Sequence, residues 1–305
     1  MTAASTTITA TPGIMLIRVG QAGCALRWDA VHQCWRWPDP VGSQIYAWPA
    51  PPAMPSGLRM LESARVMASC RSGRLLMGLG KRLGMVELPE PGQPGRALQA
   101  QVLLTIDAAE PRTVISDGCA DRDGNFVFGT ANTARDQRPI GSFYQYSQRY
   151  GLRRLALPAV AAAAGIAFSP DGRTLYFADS ARGVIQCCHY DAELGKAGGL
   201  KTFAQLLAPG PGTAIVDSAG ALWSVQGGAL VQYSRHGEVL RRIALAREPA
   251  ASVAFGGAAL DQLLVLGGQG GLYGLPPDLA GGLAPGLADT LFDDSGSASR
   301  GNLQA

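Results

Sequence analysis

A short unit returns six times along this 305-residue chain: a turn carrying Gly or Asp, an apolar strand, a second turn and another strand. The copies fall at Trp28–Trp48, Cys70–Leu88, Ala120–Tyr146, Phe168–Asp191, Val216–Gly237 and Phe255–Pro276. A recurrence of ~40 to 50 residues is the period of a β-propeller blade. A blade cannot bury its own faces, so six copies predict one closed ring, an all-β six-bladed β-propeller. The ring is expected to span residues 13–287, with a flexible N-terminus at 1–12 and a flexible, polar tail at 288–305.

Turn chemistry supports the strands. Asp121-Arg-Asp-Gly precedes Asn125-Phe-Val-Phe-Gly-Thr, Ser169-Pro-Asp-Gly-Arg precedes Thr174-Leu-Tyr-Phe-Ala-Asp, and Asp217-Ser-Ala-Gly precedes Ala221-Leu-Trp-Ser-Val. Asx and Gly turns of this kind close hairpins. The stretch from Asp121 to Asn125 lacks the later ligands and flanking helices of an EF-hand. Gly267-Gly-Gln-Gly-Gly opens no helix, so it reads as a blade turn and not as a phosphate cradle. The five tryptophans fall on strands or strand ends, where packing is their default role.

The net charge of +3 is small and scattered, which argues against a nucleic-acid partner. No apolar run approaches the ~20 residues of a membrane span, and residues 1–11 lack a signal-peptide pattern. The six cysteines show no metal spacing and suit a reducing cytoplasm. Nothing in the sequence supports a protein partner. The three histidines, His32, His189 and His236, lie in turns or outer strands, which disfavours a Ser-His-Asp triad or a His-rich zinc site.

Several stretches resemble the family of regucalcin (senescence marker protein), gluconolactonase and the luciferin-regenerating enzyme. They are Ala167-Phe-Ser-Pro-Asp-Gly-Arg-Thr-Leu-Tyr-Phe-Ala-Asp-Ser, Ser116-Asp-Gly with Asp123-Gly-Asn-Phe-Val-Phe-Gly-Thr, and Phe255-Gly-Gly with Leu260-Asp. The resemblance covers roughly 20–287 and implies a six-bladed propeller. It also implies a lactone hydrolase with one divalent cation in its channel, held by Glu, Asn and Asp from three blades. The cation would polarise the lactone carbonyl for attack by water. At the matching positions this chain carries Cys24, Ala164 and Gly212. The Asn that contacts substrate or metal is Ser116, an accompanying Arg is Val114, and the neighbouring Asp117 is retained. Two of the three ligand positions offer no side-chain oxygen and the third offers a soft sulfur, so no metal or other cofactor is expected. Glu62 and Asn132, the nearest replacements, sit in other motifs.

Three functions stay open. The chain binds a small polar or lactone-like ligand in the channel without the metal. Alternatively, it is a metal-independent hydrolase, isomerase or cyclase using Asp117 as acid or base, with Cys24, Ser116 and Thr130 or Asn132 assisting. As a third reading, it is a metal-dependent sugar-lactone hydrolase with ligands elsewhere. Whether it is an enzyme is undecided by the sequence. The ligand-pocket candidates are Cys24, Ser116, Asp117, Thr130, Asn132, Ala164 and Gly212. Asp117 is the candidate catalytic group, with Cys24 as a weaker nucleophile. Asp117 also has a structural reading, as an acceptor for backbone N–H groups at the Asp-Gly turn.

Overall fold

A computed structural model describes residues 7–9, 13–89, 96–179, 181–245, 248–275, 279 and 281–295. It is all-strand, with six small sheets arranged as a six-bladed β-propeller. The innermost strands are Arg27–Asp29, Val66–Ser69, Thr113–Ala120, Ala163–Phe168, Pro211–Val216 and Ala250–Gly256, for blades one to six in order. Each pairs antiparallel with the next strand of its blade, and the blade continues outward. Among the described residues, no helix is long and apolar enough to cross a membrane.

The predicted turns close the first hairpins. Asp121 Oδ1 accepts from the N–H groups of Asp123 and Asn125, both at 2.9 Å. Asp217 Oδ1 accepts from Ala219 and Ala221, and its Oδ2 accepts from Trp223 Nε1 at 2.9 Å. The side chain in each case supplies the acceptors that the bending backbone has turned away from the ladder.

Packing lies between blades. Six apolar clusters each join one blade to the next, which is why no blade is stable by itself. Trp35, Trp37 and Trp48 fill the seam between the sixth and first blades, and Trp223 fills the seam between the fifth and sixth. Trp37 and Trp223 are wholly buried. A large side chain buried this far contributes about 2–3 kcal/mol.

The ring closes in a way the repeat did not announce. Blade six supplies only three strands from its own stretch of chain, and the N-terminal strand Ile14–Arg18 pairs antiparallel with Gly271–Gly274 as the fourth. Glu248 fastens this seam. Its carboxylate accepts from Arg18 Nη2 (2.9 Å), the Tyr273 hydroxyl (2.7 Å) and the Gln269 N–H (2.6 Å). A Cβ on Gly267 or Gly271 would overlap this carboxylate, so the Gly-rich turn is shaped around a resident Glu. The backbone of Thr7–Thr9, in the stretch expected to be a loose N-terminus, pairs in parallel with Arg241–Ile243 at the outside of blade five.

Residues 285–294, most of which composition assigned to a tail, cross one end of the channel as a strap. Gly286 N–H donates to Leu260 O and Ser218 N–H to Pro285 O on one side of the ring. On the other side Phe292 N–H donates to Ser69 O and Asp293 N–H to Gly124 O, both at 2.8 Å. The Phe292 ring is wholly buried in the seam between blades two and three. Asp294 pairs with Arg74 at 2.8 Å. The rest of the expected tail, from 296 on, lies outside the described residues.

Candidate functional site

Four inner strands bulge at one level of the channel. The register shifts between Ile115 and Asp117, Ala164 and Ala167, Pro211 and Ala214, and Ala250 and Ser252. A bulge re-aims side chains and frees backbone groups from the ladder, and such features gather at functional sites. Ser116, Ala164 and Gly212 lie on these bulges, and Cys24 lies three residues before the inner strand of blade one. All four are half-buried. Cys24, Ser116, Ala164 and Gly212 thus belong to the first, third, fourth and fifth blades.

Just below them runs a ring of polar clasps. Asp117 Oδ2 accepts from Ile166 N–H in the next blade at 2.9 Å, and its Oδ1 accepts from Gly118 N–H at 2.8 Å. Thr213 Oγ1 accepts from Val253 N–H at 3.0 Å, and Ser252 Oγ accepts from Leu26 N–H at 2.8 Å. Each of the three side chains reaches one residue further along the following blade. Thr213 and Ser252 also share a hydroxyl bond of 3.0 Å. Ser116 Oγ donates to Ala163 O at 2.8 Å. Asp117 thus occupies the position that Thr213 and Ser252 hold in other blades, with both oxygens engaged by backbone amides. Burial pushes its carboxyl above the usual range, against the lowering pull of those amides and of Arg27.

Cys24 Sγ donates to Pro38 O at 3.5 Å. Burial pushes its thiol up to about 12, and Arg65 only partly offsets this. A thiol so held is protonated at neutral pH and a poor nucleophile. His32, the histidine nearest in sequence, is committed to Asp29 at 2.8 Å.

Thr130 and Asn132 are used locally. Thr130 Oγ1 accepts from Ser142 N–H at 2.8 Å. Asn132 donates to Asp136 and to Arg138 O and accepts from Ala134 N–H, so it shapes the loop that follows it. Glu62 pairs with Arg82.

The donor set can be tested against the divalent cation that the resemblance implies. Cys24 presents a protonated sulfur, Ala164 presents no donor, and both Asp117 oxygens already accept hydrogen bonds. At position 212 the backbone itself is in the way. A Cβ there would overlap the carbonyl oxygen of Ala251 and stand 2.9 Å from Val225 Cγ1. These residues do not fit a hard cation that takes six or more oxygens.

A cavity of about 60 Å³ lies on the other side of the clasp ring, toward the strap. Arg27, Ser69, Arg122 and Phe255 line it, and Asp289 and Thr290 of the strap roof it. None of the seven ligand-pocket candidates is among its lining residues. Arg27 was not singled out in the sequence. Its one signal is a charge within Ala25-Leu-Arg-Trp, an otherwise apolar entry to an inner strand.

A family model described as the SMP-30/Gluconolactonase/LRE-like region matches residues 23–268. An L-arabinolactonase of Azospirillum brasilense is 33% identical over 230 residues, covering 72% of this chain and 70% of that protein. A 6-deoxy-6-sulfogluconolactonase of Pseudomonas putida is 28% identical over 243 residues, covering 78% and 80%. Among solved structures, a calcium-binding regucalcin from Agrobacterium tumefaciens superposes with a TM-score of 0.80 at 18% identity, covering 95% of this chain and 99% of that one.

Proposed function

The chain belongs to the SMP-30/gluconolactonase/LRE-like family, and on that premise we propose that it binds a small polar or lactone-like ligand in its central channel without the family's divalent cation. The observation that carries this reading is the crowding at Gly212. Ala251 O fills the space an Asp side chain would leave by, while Cys24 and Ala164 supply no hard oxygen. The metal-dependent lactonase reading has no donor set at these positions to rest on.

Polar recognition remains available at this level. Ser116 Oγ, whose hydrogen goes to Ala163 O, keeps lone pairs for a ligand hydroxyl. Arg65 is exposed, and its charge acts on Cys24. A guanidinium at that mouth would attract a carbonyl or carboxylate oxygen. Catalysis through Asp117 is less well supported, because its oxygens serve the backbone of two blades. The six free cysteines accord with a reducing, cytoplasmic setting.

The test is titration calorimetry of chelator-stripped protein with calcium, manganese and zinc, followed by thermal-shift and product assays with sugar lactones. The reading expects no cation binding below the millimolar range, and lactone-induced stabilisation without hydrolysis. One-to-one micromolar cation binding, or a lactonase activity abolished by EDTA, would overturn it. A turnover that survives EDTA but is lost in Asp117→Asn would favour metal-free catalysis instead.

A further inference from the structure

Arg27 sits deep in the channel at 7% exposure, and its side chain borders the cavity beneath the strap. Of its five N–H bonds, the described residues offer one acceptor. Nη2 reaches across from blade one to Gly118 O on blade three, at 2.9 Å. No carboxylate among the described residues stands within 4.0 Å of it. Burial works to lower the guanidinium's pKa, but Asp289, Cys119 and Asp117 act the other way and hold it above the ordinary arginine value. The charge is therefore retained. A buried charge with a single hydrogen bond and no carboxylate in contact is costly, and proteins normally pair or ligate one.

The surroundings offer the rest of an anion site. Arg122 borders the same cavity, tied to the strap only by a 3.4 Å bond to Ala288 O and to blade four by a 3.4 Å bond to Ser169 O. Ser69 and Thr290, which each carry a hydroxyl, are among the lining residues. Asp289 is exposed, so its charge is shared with solvent. A cavity of about 60 Å³ has room for about four water-sized groups, which is the size of a small carboxylate.

We propose that the cavity between the clasp ring and the strap is a binding site for a small oxyanion, with the Arg27 guanidinium as its buried anchor. A monocarboxylate of the size of acetate is the fitting member of that class. It presents two oxygens to the planar fork of Arg27, and its single charge is repelled less by Asp289 than that of phosphate. The site is separate from the channel level carrying Cys24, Ser116, Ala164 and Gly212, and it stands or falls independently of the ligand bound there. Thr290 and Asp289 make the strap part of the site, so occupancy there fastens the strap to the ring.

The test is thermal shift and calorimetry on the full chain with acetate, with inorganic phosphate, and with chloride at matched ionic strength. Acetate is expected to give a saturable rise in melting temperature that chloride does not reproduce, and Arg27→Met is expected to lose it. Should Arg27→Met not fold, Asp289→Asn keeps the question open to an answer. It removes an exposed competing charge, and should tighten acetate binding by about threefold at low salt. Saturation by phosphate in place of acetate would retain the oxyanion site and change its occupant. Equal shifts with chloride, an undiminished acetate effect in folded Arg27→Met, or no change in Asp289→Asn would each overturn the proposal.

Discussion

Thr213→Val tests whether the polar ring around the channel is a set of structural clasps. Valine keeps the shape of threonine and deletes one hydroxyl. Thr213 Oγ1 accepts from Val253 N–H at 3.0 Å and is bonded to Ser252 Oγ at 3.0 Å. Thr213 is 9% exposed, and Val253 and Ser252 are wholly buried. The substitution strands one buried amide donor and removes a partner from one buried hydroxyl. Each loss costs about 1–3 kcal/mol. The hydroxyl can rotate and the amide cannot, so we expect a total of about 2–4 kcal/mol, dominated by the amide. Unfolding entropy of roughly 2.1 cal/mol/K per residue gives about 0.6 kcal/mol per degree for a chain this long. The melting temperature should therefore fall by about 3–6 °C. Thr213→Ser keeps the acceptor and should recover most of the loss. In a Ser252→Ala background Thr213→Val should cost less, by about 0.5–1.5 kcal/mol, because one of the stranded partners is gone. Scanning calorimetry on the wild type, the three single variants and the double variant measures all of this. A Thr213→Val protein melting within 1 °C of the wild type would refute the clasp argument for Thr213 and, by analogy, for Asp117.

Cys24 should resist iodoacetamide at pH 8 in the folded protein and react readily once unfolded, as mass spectrometry would show, since burial holds its thiol near 12. Fast labelling in the native state would restore it as a nucleophile. Gly212→Asp should fail to create a cation site and should lower stability, because the added Cβ meets Ala251 O. Micromolar calcium binding by that variant, seen in calorimetry, would contradict the crowding argument. Burial works to raise the Asp29 carboxyl, but the His32 N–H and the Arg36 guanidinium hold it below the usual range. Its folded pKa lies below its unfolded value, so its contribution is present above ~4 and is lost as pH falls through the folded pKa. Urea midpoints from pH 6 down to pH 2 should fall less steeply for Asp29→Asn than for the wild type.

The legible parts of the fold were those written locally. Asp121, Ser169 and Asp217 announced their hairpins because an Asx or Ser side chain and its amide partners lie within five residues of each other. The strand Ile14–Arg18 carried no such mark, because its partner is some 250 residues away and its role depends on the ring already being formed. The site was half legible. Motif context placed Cys24, Ser116, Ala164 and Gly212 at one level of the channel, whereas Thr130 accepts from the Ser142 N–H and Asn132 bonds the loop that follows it. The ring shared by Asp117, Thr213 and Ser252 emerges only when adjacent blades are set side by side, since three different residue types occupy one geometric position. Arg27 was invisible for a related reason. An arginine in an inner strand looks like a surface charge until blade three, across the channel, is found to give it a single carbonyl.

The seam through Ile14–Arg18 bears on how this chain is made. The strand Ile14–Arg18, early in the chain, pairs with Gly271–Gly274, which lies some 250 residues later. Until residues 248–274 have been made, blade six lacks its hairpin, Arg18 lacks Glu248, and the exposed apolar side chains of Ile14, Met15 and Leu16 have no sheet to join. The open array meanwhile leaves uncovered one apolar face of the first blade and one of the most recently made blade. Long-range pairing of this kind makes folding slow and aggregation-exposed. Ring closure thus waits on Gly271–Gly274, and a protein truncated before Gly271 should depend on chaperones however complete its first five blades.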